Sequence, residues 1–155
     1  MAELVPLSAA ANTMHRQEIT MAQQLNPYLT FNGNCAEAMD FYATVLAGTI
    51  EKMTFRDMGM EVDGIMHAAL STPSGFHIFA SDTAPGMGMD FTPGNTLQIS
   101  ISGDEYDALH GYWTALAEGG QIMMPLERQA WGADYGMLAD RFGILWHINI
   151  SAPNA

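Results

Sequence analysis

The strongest constraint on this chain is that it carries one pattern of residues twice. Displacing the sequence by 70 positions lays Gly33 on Gly103, Ala38 on Ala108, Tyr42 on Tyr112, Thr44 on Thr114, Leu46 on Leu116 and Ala47 on Ala117. These are six identities within the fifteen positions from 33 to 47. They fall where a strand leaves through a turn into the apolar face of a helix. A second correspondence, displaced by 68, lays Gly75 on Gly143, each just ahead of a final strand. Repetition on this scale points to two copies of one supersecondary unit.

Around these anchors the same order of elements recurs in both halves. Tyr28-Leu29-Thr30-Phe31 alternates polar and apolar, as a half-buried strand does. Asn32-Gly33-Asn34 breaks it, and Asn34 followed by Glu37 has the spacing of a capping box. Ala38, Phe41, Tyr42, Val45 and Leu46 then recur at helical spacing, with a stop expected at Gly48. Segments 50–55, 64–72 and 76–81 read as strands, parted by Met58-Gly59-Met60 and Pro73-Ser74-Gly75. In the second half Leu97 to Ile101 alternates, Ser102-Gly103-Asp104 breaks, and 106–117 is helical. Asp104, Glu105 and Asp107 favour the start of that helix, and Gly119-Gly120 ends it. Segments 121–125, 136–139 and 144–151 complete three more strands. The expected class is α+β: tandem βαβββ modules, about 25–82 and about 96–151, forming a curved sheet around a central cleft. They make a single domain over 25–152. Residues 1–24 read as a loose or helical N-terminal extension, because Ser8-Ala9-Ala10-Ala11 lacks the basic flank of a secretory signal.

Charge narrows the partners. Seventeen acids against five Lys and Arg leave a net charge of −12. Nucleic acid and anionic membranes both need a basic face, so neither is expected as a partner. No apolar run has the length of a membrane span. With 48% apolar residues the chain can build a core. Its single cysteine, Cys35, excludes an internal disulfide framework or a multi-Cys zinc site and fits the cytoplasm. Cys35 has no neighbouring base and reads as a small packing residue.

Strand alternation then sorts side chains by face. With Leu29 and Phe31 on the helices, Asn26, Tyr28 and Thr30 face the cleft. With Leu97, Ile99 and Ile101 on the helices, Thr96, Gln98 and Ser100 do so. Ile78 and Trp146 turn to the helices, leaving His77, Phe79 and Ser81 in one module and Leu145, His147 and Asn149 in the other. His67 lies mid-strand among apolar neighbours, where a neutral imidazole can orient a ligand oxygen or serve as a general base. Trp131, in the loop Gln129-Ala130-Trp131-Gly132, and Tyr135, opening a strand, add rings. The expected ligand-binding set is Tyr28, His67, Phe79, Gln98, Trp131, Tyr135 and His147. The structural alternative is a solvated polar sheet face whose histidines only hydrogen-bond their neighbours. The Met58-Gly59-Met60 and Met87-Gly88-Met89 phrases have too few accompanying ligands for Cu(I). They read as adaptable packing, or as a rim that favours a partly apolar ligand.

Several phrases together resemble a known superfamily. Phe31-Asn32-Gly33-Asn34-Cys35 leads into Phe41-Tyr42, and the chain closes with Asp140-Arg141-Phe142-Gly143-Ile144-Leu145-Trp146. Met66-His67-Ala68 and Ser81-Asp82 sit between them. This pattern, over Leu25 to Ser151, resembles the vicinal oxygen chelate superfamily, and within it the PhnB-like, glyoxalase/bleomycin-resistance-related branch. The resemblance implies paired modules around a cleft, often with a central metal and commonly in a homodimer. It implies no single reaction, since that superfamily hosts isomerases, dioxygenases, thiol transferases, epimerases and drug-sequestering proteins. Its metal ligands come from the start of the first strand and the middle of the last strand of each module. Here those positions are Asn26, Phe79, Thr96 and His147. A divalent cation takes imidazoles and carboxylates, and a phenyl ring cannot replace one. Neither a metal nor another cofactor is therefore expected. Gly86-Met87-Gly88 lacks the strand–turn–helix setting of a nucleotide fingerprint. The expectation is a protein binding a small, partly apolar molecule in the central cleft, with no catalytic residue assigned. The alternatives are a metal-dependent lyase, isomerase or dioxygenase built on His147 and His67, and a metal-independent acid–base enzyme using His67.

Overall fold

The computed structural model describes residues 23–86, 88 and 90–151. The expected N-terminal extension, apart from its last two residues, lies outside them, as do Met87 and Met89. The first module runs β1 (Tyr28–Phe31), α1 (Cys35–Val45), β2 (Thr49–Thr54), a 3-10 turn (Arg56–Met58), β3 (Ile65–Ser71) and β4 (His77–Asp82). The second runs β5 (Ile99–Gly103), α2 (Tyr106–Ala117), β6 (Gln121–Arg128), β7 (Asp134–Ala139) and β8 (Leu145–Ile150). Each module folds as a four-stranded sheet, β1-β4-β3-β2 and β5-β8-β7-β6. The first strand pairs parallel with the last, and the remaining pairs are antiparallel. The class is α+β, with tandem βαβββ modules.

The modules share one core. Phe31, Tyr42, Leu46, Leu70 and Ile78 from the first join Leu109, Trp113, Leu138, Trp146 and Ile148 from the second. The Tyr42 ring lies 5.5 Å from that of Trp146, and Phe142 meets Phe31 edge-on at 6.4 Å. Alternation places the buried set as expected: Ile78, Ala80 and Asp82 on β4, and Trp146, Ile148 and Ile150 on β8.

Two buried carboxylates fasten this arrangement. Asp82 Oδ1 accepts the N–H groups of Gly33 at 2.8 Å and Cys35 at 3.0 Å, and its Oδ2 accepts that of Ile65 at 2.8 Å. It thus occupies the place expected of Asn34, whose side chain makes no cap. Asp140 Oδ1 accepts the N–H groups of Phe142 at 2.8 Å and Ile144 at 3.1 Å. Its Oδ2 accepts Trp146 Nε1–H at 2.9 Å and the Tyr42 hydroxyl at 2.6 Å. The closing phrase from Asp140 to Trp146 is therefore a structural clasp, reaching back into the first module through Tyr42.

Several local expectations are corrected. β5 begins at Ile99, and Leu97, expected against the helices, is 84% exposed. Glu105, at the start of α2, makes no side-chain cap, leaving Asp107 as the acid in its first turn. Ala47, at φ 54°, takes the left-handed turn after α1 rather than Gly48. Gly48 is needed for space, because a Cβ there would lie 2.7 Å from the Ser71 carbonyl oxygen.

Candidate functional site

The face of each sheet turned away from the core carries the expected rings, gathered in two groups. In the first module the Tyr28 hydroxyl and His67 Nδ1 are 3.1 Å apart. Phe79 meets His67 and Tyr28 edge-on, at 5.2 and 6.4 Å between ring centres. In the second module Tyr135 and His147 stack at 5.8 Å, with the Tyr135 hydroxyl 2.6 Å from His147 Nδ1. His147 Nε2 is hydrogen-bonded to Gln98 Oε1, and Trp131, 66% exposed, leans on Tyr135 at 6.1 Å. Among the described residues no hydrogen bond or ring contact joins the two groups.

Register explains the likeness. Counted from the closing hairpin pairs, Ser71–His77 and Ala139–Leu145, Phe79 and His147 hold the same position on β4 and β8. By the same count His67 and Tyr135 are equivalent on β3 and β7. Each module thus presents a tyrosine–histidine pair, but the two are assembled from different strands. On the first strands, Tyr28 stands opposite Phe79 and Ser100 opposite His147. The counterpart of Asn26 is therefore Gln98, two residues beyond Thr96. Alignment on the helices alone misplaces it, because strand register is set separately by sheet pairing.

Comparison with known proteins decides the family. The model of the Glyoxalase/Bleomycin resistance protein/Dioxygenase superfamily matches residues 24–148. The chain belongs to this superfamily. It is 29% identical over 142 residues to Protein YjdN of Escherichia coli (strain K12), covering 81% of this chain and 94% of that protein. It is 31% identical over 139 residues to the uncharacterized protein Mb0911c of Mycobacterium bovis, covering 84% of each. Among solved structures, protein PA1353 from Pseudomonas aeruginosa is 39% identical with a TM-score of 0.76, covering 84% of this chain and 99% of that one. A PhnB protein from Bacillus cereus, described as a putative 3-demethylubiquinone-9 3-methyltransferase, shares the fold at 23% identity and a TM-score of 0.65. That match covers 83% of this chain and all of the Bacillus chain.

The glyoxalase superfamily often centres a metal between its modules, and the residues here do not fit one. Phe79 has no donor atom. The Asn26 amide is hydrogen-bonded to the Gln24 side chain at 2.9 Å. Both ring nitrogens of His147 are engaged. With the Gln98 carbonyl oxygen as acceptor, Nε2 carries the proton and Nδ1 accepts from the Tyr135 hydroxyl. Ligation through either nitrogen would break one of these bonds. Among the described residues no three His, Cys, Asp or Glu side chains gather as a metal would require.

Other titratable groups serve packing. The buried Cys35 thiol is pushed up to about 12, first by burial and then by the Asp82 carboxylate. Burial and Asp140 likewise raise Tyr42, which keeps its proton and donates it to that carboxylate. His77 Nδ1 lies 3.3 Å from Ser71 Oγ. A further feature is a hollow of about 980 Å³ walled by 25–30, 90–94, 96–99 and 141–145, of which sequence reasoning missed Arg141, Phe142 and the 90–94 segment. Of the expected ligand-binding set Tyr28 and Gln98 line it, beside Asn26, Thr30, Thr96 and Leu145, which alternation also turned to the cleft. His67, Phe79, Trp131, Tyr135 and His147 do not. The signal in the sequence was Arg141-Phe142, a cation beside an aromatic in a loop.

Proposed function

We propose that the protein is a PhnB-like binder of a small, partly apolar molecule, held on its ring-bearing sheet faces without a divalent cation. The observation that carries this reading is His147, whose two ring nitrogens are already committed to Tyr135 and Gln98. Phe79 at the equivalent position of the other module supports it, since a phenyl ring offers contact area and no lone pair. Trp131, Tyr28 and Tyr135 supply flat apolar bodies with polar tips, which suit an aromatic ligand.

The test is a thermal-shift screen of aromatic fragments against the purified chain, with and without chelator. Hits are expected whose shift survives chelation and shrinks in Trp131→Ala and Phe79→Ala. At a hundredfold excess over Kd, binding adds about 2.7 kcal/mol of stability. Near-stoichiometric Zn, Ni, Mn or Fe, whose removal also abolishes binding, would instead support the metal-dependent lyase, isomerase or dioxygenase.

A second reading rests on the Tyr135–His147 hydrogen bond and its Tyr28–His67 counterpart. Either pair can pass a proton between a ligand and an imidazole, which suits metal-independent acid–base chemistry at His67 or Tyr135. The proposal places the protein in the cytoplasm, on its single thiol. It also makes the chain a homodimer, paired along the outer edges. Ile122, Met123 and Met124 of β6 are each about half exposed there, as is Met53 on β2 at 41%. No helix among the described residues is long and apolar enough to cross a membrane.

A further inference from the structure

The hollow between the modules carries a chemistry separate from the ring-bearing faces. β1 and β5 are edge strands of their sheets, and the hollow lies along their starts. Its apolar wall includes Leu29, Phe91, Leu97, Ile99, Phe142 and Ile144. Among the described residues Asp90 and Arg141 are the only charged ones that line it.

Arg141 is distinctive among the cations. Lys52 pairs with Asp40 at 2.8 Å, Arg56 with Asp63 at 2.9 Å, and Arg128 with Asp134 at 2.5 Å. Among the described residues Arg141 alone of the Lys and Arg side chains has no such carboxylate partner. Its guanidinium carbon lies instead over the faces of Phe41 at 4.2 Å and Phe142 at 5.1 Å. Its stem runs past the end of α2, where a Cβ on Gly119 would come within 3.4 Å of Arg141 Cβ and Cδ. Stacking fixes the plane of a guanidinium and leaves its N–H edge for an acceptor. A carboxylate fits that edge with two parallel hydrogen bonds.

We infer that this hollow binds a small monocarboxylate with an apolar body, its carboxylate on Arg141 and its body along Leu29, Ile99, Phe142 and Ile144. Asp90 on the same wall disfavours a second acid group. The chain's net negative charge does not cancel the attraction, because charges beyond about 8 Å are screened at physiological salt. The site is additional to the proposed ring-bearing one. Five of that set lie off this wall, so either can fail alone.

The experiment is calorimetric titration of the full chain at pH 7 with octanoate, 1-octanol and octylammonium. Octanoate is expected to bind with one site per chain, and octanol about tenfold to a hundredfold more weakly, the range set by a charge-assisted hydrogen bond. Octylammonium should bind no better than octanol. Arg141→Gln should reduce octanoate to the octanol level, Arg141→Lys should fall between, and Arg56→Gln should bind as the wild type does. Equal affinity for octanoate and octanol, unchanged octanoate binding in a folded Arg141→Gln, or a hollow closed to octanoate by a second copy would each overturn the inference. The wild-type comparison of acid with alcohol stands even if the Arg141 variants do not fold.

Discussion

Asp82 and Cys35 show how a buried residue couples this fold to pH. The thiol lies against the carboxylate's end of α1, fully buried, and burial with the neighbouring Asp82 charge moves it from 9.0 to about 12. The unfolded chain releases that proton near 9, whereas the folded chain keeps it. The stabilisation is fully present below the ordinary thiol value and is lost as pH rises towards 12. Above 9 the slope approaches about 1.4 kcal/mol per pH unit for one group. Tyr42 is shifted in the same direction from its ordinary 10.0 and adds to the loss at higher pH. Urea unfolding between pH 8 and 10 should therefore show wild-type stability falling from about pH 9. Cys35→Ala should be less stable at pH 8 through lost packing, with a shallower fall to pH 10. Parallel curves for the two proteins would refute this account of the thiol.

At the scale of elements, the contact of α2 with its sheet depends on the absence of one side chain. A Cβ on Gly136, in β7, would lie 2.6 Å from Trp113 Cη2 and 2.9 Å from the Leu126 Cα. Neither a buried indole nor a neighbouring backbone yields readily, so Gly136→Ala should cost about 1–3 kcal/mol. Gly111, on the exposed side of α2, meets nothing at that position. There Gly111→Ala should stabilise by about 0.5–1 kcal/mol through helix propensity. Opposite shifts of the urea midpoint check both. The order of elements and the inward faces of β4 and β8 were legible, since hydrophobic period reports which side is buried. The cap on α1 was not, because its acceptor is Asp82, distant in the chain, while the local Asn34–Glu37 spacing imitates one. Alternation also made legible which rings lie on the sheet faces turned away from the core. Their division into two groups, and the pairing of Gln98 with His147, depended on register, which periodicity leaves open.

For the whole molecule, the decisive question is whether two modules make one cooperative unit. Their sheets are separate, yet Tyr42 of the first donates to Asp140 of the second, beside Trp146 and under the Phe31–Phe142 contact. Opening one module would expose the other's half of that cluster and strand a buried carboxylate. Such a shared core favours all-or-none unfolding for a chain of this size. The composition supplies independent probes, since the only cysteine, Cys35, lies in the first module and all three tryptophans, Trp113, Trp131 and Trp146, in the second. Thiol trapping at Cys35 and tryptophan fluorescence should report the same urea midpoint. Asp140→Ala leaves the Tyr42 hydroxyl and the Trp146 N–H without their acceptor, and should lower stability by about 2–6 kcal/mol, at about 1–3 kcal/mol for each unsatisfied buried donor. Because the clasp joins both halves, it should move the two midpoints together. If Cys35 became accessible at urea concentrations where fluorescence still reads folded, the modules would be separate folding units, and the Tyr42–Asp140 contact would be a consequence of their docking rather than its cause.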